Sequence, residues 1–386
     1  MKRLLSLFLV SLSTAALMAQ QWTGTWATAT ETPFGKGDMP QNIQLDNNSL
    51  RQVVHVSLGG DVLRLELSNT FGDEPLEIRS VYIADAATGG QIDAKSARYL
   101  KFNGKQGITI APHQTIFSDA LKYSLKPLQR LAITIHYGSM PKTVTTHRGS
   151  RTNSFIMQGE SKPKQPFTVG EQLEHWYTIA AIDVQTDGTA DCIALLGNSI
   201  TDGRGCTTDL QNRWSDVLAE QLGGQVGVLN LGIGGNCVLL GGLGQPATER
   251  FDRDILGQRG VKRLVIFEGI NDIGGSKSVE KTCRQLIRAY EKFIAKARER
   301  GWKVYLGTIT PLGNTSYWSY FHEACRQTVN EWIRQNKTVD GIIDFDQLLC
   351  DPSQPTQMRL EWQFDWLHPN AEGYQQMGHF AASVLQ

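Results

Sequence analysis

The sequence predicts two domains: an all-β sandwich of jelly-roll type, then an α/β domain whose parallel sheet carries helices on both faces. Two observations carry this. From about Gln21 to Asp187, apolar and polar residues alternate with period two between turns rich in Gly, Pro and Asn. From about Asp191 onward, short apolar runs alternate with stretches of helical period. A third observation concerns function. Small-residue loops carrying Ser199, Gly235 and Asn271 each follow one of those apolar runs. In open parallel sheets such loops gather at the carboxyl edge of the strands.

With 386 residues the chain is long enough for two cores. Its 38 Lys and Arg balance 38 Asp and Glu. That gives no bulk electrostatic attraction to nucleic acid or to an anionic membrane surface. Lys2 and Arg3, the apolar stretch Leu4 to Met18 and the small residue Ala19 read as an export signal spanning residues 1–19. A retained membrane anchor is the alternative, but the stretch is short for a spanning helix. The sandwich then covers residues 20–187 and the α/β domain residues 188–386. Export implies a periplasmic or extracellular, bacterial setting.

Within the sandwich, Val53 to Leu58 and Val62 to Ser68 read as half-buried strands joined by a hairpin turn at Gly59-Gly60-Asp61. Leu76 to Ile83, Leu131 to Tyr137 and Trp176 to Val184 continue the pattern, and Ser161 to Pro166 is a loop. In the second domain, Ile193–Leu196, Val226–Leu231, Arg263–Glu268, Val304–Ile309 and Gly341–Phe345 are the predicted strands. Trp214–Leu222 and Ala324–Gln335 have helical spacing. Val279–Arg300 places Cys283, Leu286, Ile287, Tyr290, Ile294 and Ala297 on one face, with charges opposite. Ala371–Leu385 is a final helix capped by Asn370 after Pro369.

Four segments carry chemistry. In Gly197-Asn198-Ser199-Ile200-Thr201-Asp202-Gly203 a serine sits at the tip of a strand. A hydroxyl is nearly inert at neutral pH and needs a base before it can attack an acyl carbon. The same serine could instead cap the following helix. His368 is the candidate base, and Asp365, three residues earlier, can reach its Nδ1 across a short turn. Pro369 disfavours helix at His368 and so favours that turn. Acyl transfer also needs donors for an oxyanion. The backbone N–H groups of Ser199 and Gly235 and the side-chain amide of Asn271 can supply three. The Gly232-Ile233-Gly234-Gly235 cluster lacks the Lys-Ser/Thr of a phosphate loop. No His/Cys cluster has zinc-ligand spacing, so neither a metal nor another cofactor is expected.

Ser199, Gly235, Asn271 and His368, in this order, resemble the four signature residues of the SGNH, or GDSL-type, hydrolase family. The resemblance covers roughly residues 190 to 386. It implies a three-layer α/β/α, flavodoxin-like fold and serine ester hydrolysis, with Asp365 as the acid of the histidine block. One position departs from the pattern: Asn198 stands where Asp is usual, and it is read as a residue bracing the loop. The first half, with Trp22-Thr-Gly-Thr-Trp-Ala-Thr28, Leu67-Ser-Asn-Thr-Phe-Gly72 and Trp176 to Val184, is similar to the sandwich fused ahead of this domain in some exported bacterial members. Those are often carbohydrate-active esterases.

The expected activity is thus hydrolysis of O-acyl, above all O-acetyl, esters of polysaccharides or oligosaccharides. Trp366 is the expected substrate-binding aromatic, with Tyr317, Trp318 and Tyr320 nearby. A lipase or lysophospholipase, and a non-catalytic glycan-binding protein with a vestigial hydrolase domain, are the alternatives. The sandwich could form the site's rim, bind glycan or only pack. Cys206 follows the nucleophile loop and Cys237 the oxyanion loop, and a Cys206–Cys237 disulfide bracing both is an expectation. Two free buried thiols are its alternative.

Overall fold

The computed structural model describes residues 21–386. The export-signal reading of residues 1–19 lies outside the described residues. No helix among them is long and apolar enough to cross a membrane.

The first domain is two antiparallel sheets packed face to face. One runs Gln21–Ala27, Ile179–Thr186, Gly60–Ser68 and Thr115–Phe117, with Leu121–Leu125 also on Gly60–Ser68. The other is centred on Ser49–His55, Arg130–Tyr137 and Leu76–Asp85. Alternation buries one side of each strand, and Val54, Leu65, Leu67, Val81, Ile133 and Ile135 meet in the core between the sheets.

The predicted hairpin at Gly59-Gly60-Asp61 is wrong. Ser49–His55 and Gly60–Ser68 belong to different sheets. The cause lies in the connecting residues. Ser57 N–H donates to Thr25 O at 3.0 Å, and Thr25 Oγ1 donates to Leu58 O at 2.6 Å. These bonds carry the chain across from one sheet to the other before the turn.

The second domain has a five-stranded parallel sheet in the order Val226–Gly232, Asp191–Gly197, Arg263–Phe267, Lys303–Gly307, Gly341–Ile343. Helix Trp214–Gln221 packs against Ala371–Leu385, and Val279–Glu299 against Tyr320–Gln335. Right-handed crossovers put these pairs on opposite faces, because the chain leaves its first strand to one side and then returns past it. That reversal is the switch point where ligands bind in such sheets. The last of these helices begins at Tyr320, a turn before its predicted start, because Ser319 Oγ accepts from His322 N–H and caps it there. The switch-point strands also end level: Gly197 pairs with Gly232 on one side and with Phe267 on the other. Loops leaving those three residues therefore start from one line.

Candidate active site

Ser199 follows the strand Asp191–Gly197 by two residues. Asn198, buried, accepts from Ile200 N–H through Oδ1 at 3.0 Å and so caps the four-residue helix Ser199–Asp202. Asn198 is the cap, and Ser199 is left with its hydroxyl on a cleft. Ser199 Oγ lies 2.8 Å from His368 Nε2. On the other side of the ring, His368 Nδ1 lies 2.9 Å from both Asp365 oxygens. The Asp365–His368 turn is closed by the N–H groups of Leu367 and His368, which donate to Asp365 Oδ1. Burial works to raise the Asp365 pKa. The bond to the His368 ring and these two N–H donors outweigh it and hold the carboxyl down, to about 2. A carboxylate on Nδ1 fixes the tautomer with a lone pair on Nε2. The chain Oγ–Nε2–Nδ1–carboxylate can then take a proton from the hydroxyl.

Gly235 is three residues past Gly232, and its φ of +71° is a conformation open to glycine. A Cβ there would also lie 3.0 Å from the Leu243 side chain. Among the described residues neither the Ser199 nor the Gly235 N–H has an acceptor in the protein. Asn271, four residues past Phe267, is oriented from both ends. Tyr317 Oη donates to its Oδ1 at 3.0 Å, and its Nδ2 donates to Asn236 O at 2.7 Å. One amide N–H remains free for a ligand. Ser199, Gly235, Asn271 and His368 all line one cleft of about 520 Å³, with Tyr317, Leu243 and Leu367.

Two expectations need correction. Trp366 does not line this cleft and Leu367 does. The backbone at Trp366 is left-handed, φ +67°, as the tight Asp365 turn requires, and Leu367 takes the cleft side. Trp318 and Tyr320 are likewise exposed outside the lining, while Tyr317 is part of it. Nor are Cys206 and Cys237 bridged: all six cysteines are free thiols. Their loops approach the cleft from different surroundings. Cys206 sits among Arg213, Arg151, Asp216 and Asp202. Cys237 lies beside Asp272 and Glu268, where burial first and these carboxyls second push its thiol up to about 12.

Sequence reasoning missed the residues that hold this assembly. Buried Arg250 donates to Gly197 O, Leu231 O and Asn236 Oδ1 at 2.9 to 3.1 Å, clasping two strand ends and the loop that carries Gly235. Asp202, fully buried, receives His147 Nε2 at 3.0 Å and Arg151 Nη2 at 2.7 Å from the sandwich. Burial works to raise the Asp202 pKa, but the Arg151 charge, the bond to the His147 ring and the Arg213 charge lower it. Only the Asp202 position carried a signal, lying three residues after the serine in the same motif. The cleft is completed by sandwich residues, among them Glu31, Asp38, Arg148 and His175. Among the described residues no cluster of three potential metal ligands forms.

Residues 195–376 match the model of the GDSL-like lipase/acylhydrolase family. Among solved structures, a member of the lipolytic protein G-D-S-L family from Veillonella parvula is 20% identical with a TM-score of 0.40, over 50% of this chain and 98% of that one. A GDSL-like lipase from Bacteroides thetaiotaomicron is 17% identical with a TM-score of 0.38, over 50% and 86%. A carbohydrate acetylesterase family member from Sinorhizobium meliloti is 15% identical with a TM-score of 0.39, over 50% and 97%. No curated protein matches the chain.

Proposed function

We propose that this chain, whose C-terminal domain belongs to the GDSL-like lipase/acylhydrolase family, is an exported serine esterase acting on O-acetyl esters of polysaccharides or oligosaccharides. Ser199 Oγ attacks the acyl carbon as His368 Nε2 takes its proton. Asp365 stabilises the imidazolium that forms. The N–H groups of Ser199 and Gly235 and the Asn271 amide hold the oxyanion. The carbon–oxygen bond to the sugar breaks, and His368 returns the proton to the departing hydroxyl. Water then attacks the acyl enzyme by the same path and releases acetate and free Ser199.

The observation that carries the hydrolase reading is the Ser199–His368–Asp365 hydrogen-bonded chain at the bottom of the cleft. Support for a sugar ester over a lipid ester comes from the lining, where only Leu243, Leu367 and Tyr317 bring large apolar surface. The test is acetate release from acetylated xylan, pectin and mannan and their oligosaccharides, beside p-nitrophenyl acetate and a long-chain ester. Wild type is expected to prefer an acetylated glycan. Ser199→Ala is expected to lower kcat by about 10⁴ or more. Preference for the long-chain ester selects a lipase. Absence of any Ser199-dependent hydrolysis selects the glycan-binding reading.

A further inference from the structure

The cleft wall across from Ser199 comes from the sandwich, and Arg148 is its hub. Arg148 Nη2 donates to Glu31 Oε2 at 2.5 Å, and its backbone N–H donates to Glu31 Oε1 at 3.1 Å. Glu31 itself is buried. The Arg148 carbonyl accepts from His175 Nδ1 at 2.8 Å. A carbonyl only accepts, so Nδ1 carries the hydrogen and Nε2 is the position His175 turns to a ligand. Two near-contacts remain open. Arg148 Nε stands 4.0 Å from Asp38 Oδ2, and His175 Nε2 stands 3.9 Å from Asp38 Oδ1. Both are too long for direct hydrogen bonds, and Arg148 Nε is buried with no partner.

The charges of the whole cleft narrow the ligand. Arg148, Arg151 and Arg204 face Glu31, Asp38, Glu174 and Asp202. Three cations against four carboxylates make no net positive field for a phosphate or a carboxylate. The large apolar side chains of the lining are few, Leu243, Leu367 and Tyr317. What the wall does offer is a donor, Arg148 Nε, set 4.0 Å from an acceptor, Asp38 Oδ2, with His175 Nε2 beside Asp38 Oδ1 as a further position for a neighbouring hydroxyl. A hydroxyl donates and accepts at once, and a ring of adjacent hydroxyls does so repeatedly.

We propose that Arg148, Asp38 and His175 form the alcohol-side subsite, which takes the ring hydroxyls of the sugar whose ester Ser199 cleaves. The proposal rests on the esterase reading above. It makes these sandwich residues determinants of specificity.

The experiment compares kcat/KM for the preferred acetylated oligosaccharide with kcat/KM for p-nitrophenyl acetate, whose alcohol has no ring hydroxyls. The proteins are wild type, Asp38→Ala, His175→Gln and Arg148→Lys. Arg148→Lys keeps a cation on buried Glu31, and Asp38→Ala also removes the acceptor of the Phe34 and Gly35 N–H groups, so the three variants disturb different bonds and a failure of one to fold leaves the others. The ratio of sugar ester to p-nitrophenyl ester is expected to fall about tenfold or more in each. A ratio within twofold of wild type in all three overturns the subsite while leaving the esterase standing. Wild type that hydrolyses p-nitrophenyl acetate but no acetylated sugar overturns both the subsite and the proposed substrate. Wild type that hydrolyses neither overturns the esterase reading itself.

Discussion

At the residue scale, the amide of Asn271 presents a problem of orientation. An amide has a donor end and an acceptor end of nearly the same shape, and only one helps an oxyanion. Tyr317 Oη donates to Oδ1, and Asn236 O accepts from Nδ2, so the structure fixes which end faces the cleft. Tyr317 is held in turn, its carbonyl 2.7 Å from His322 Nδ1. Tyr317 acts through Asn271, as a positioning residue. Tyr317→Phe keeps the ring and removes only the orienting bond. It is expected to lower kcat about tenfold with KM nearly unchanged, a part of the 10²–10³ that losing a whole oxyanion donor costs. A change confined to KM, or none, would show that the hydroxyl does not orient the amide. Ser199, His368, Asp365 and Asn271 were legible in the sequence as candidates because each sits in a short local motif. Tyr317 was found only as an aromatic near a strand end. Its hydrogen bond to a residue 46 positions away leaves no local trace.

At the element scale, what the sequence shows is which segments are strands and helices, and what it hides is their partners. The five parallel strands and the two long helices all stand near their predicted places, because burial on both faces and the 3.6-residue period are local patterns. The hairpin failed because a turn signal says that the chain bends, not which sheet it enters next. Buried charge is similarly invisible. The strand Arg263–Phe267 ends on Glu268, which is 2% exposed, and neither carboxyl oxygen has a hydrogen-bond partner. Burial drives its pKa well above the ordinary carboxylate range, opposed chiefly by the charge of Arg250. Such a group holds its proton to higher pH in the fold than in the unfolded chain. Its favourable contribution is therefore complete below the unfolded carboxylate pKa and is lost as pH rises toward the folded one. Glu268→Gln removes that loss. Its stability relative to wild type is expected to improve as pH rises above the ordinary carboxylate pKa, by at most about 1.4 kcal/mol per pH unit. Urea unfolding at several pH values measures this, and a difference independent of pH sinks the account.

At the scale of the whole molecule, the two domains share a joint built for close approach. A Cβ on Gly227 would lie 2.2 Å from Gly24 O, so the first sandwich strand lies directly on the edge strand of the parallel sheet. Gly24 N–H donates to Arg259 O at 3.0 Å, and Val228 N–H donates to Ser57 Oγ at 2.9 Å. Ala27, Ala29 and Ala181 of the sandwich belong to the core of the second domain. Because the cleft takes one wall from each domain, this joint sets its width. His55 is a polar pin in it, with Nδ1 3.0 Å from Asp216 Oδ1 and Nε2 3.0 Å from Leu128 O. Both ring nitrogens face acceptors, which favours the imidazolium. Burial works to lower the His55 pKa, but the Asp216 bond and charge, the Leu128 carbonyl and the more distant Glu220 raise it; Arg213 pairs with Asp216 from the other side. The pin's contribution is thus whole below the ordinary histidine pKa and is lost as pH rises through the raised one. His55→Gln is expected to cost about 1–3 kcal/mol at pH 6 and clearly less at pH 9. Chemical unfolding followed by tryptophan fluorescence measures that cost. A wild-type joint this tight also predicts that fluorescence and esterase activity disappear in a single transition. Activity lost well before fluorescence, or a His55→Gln cost that does not shrink at pH 9, would mean that the domains part without His55 holding them.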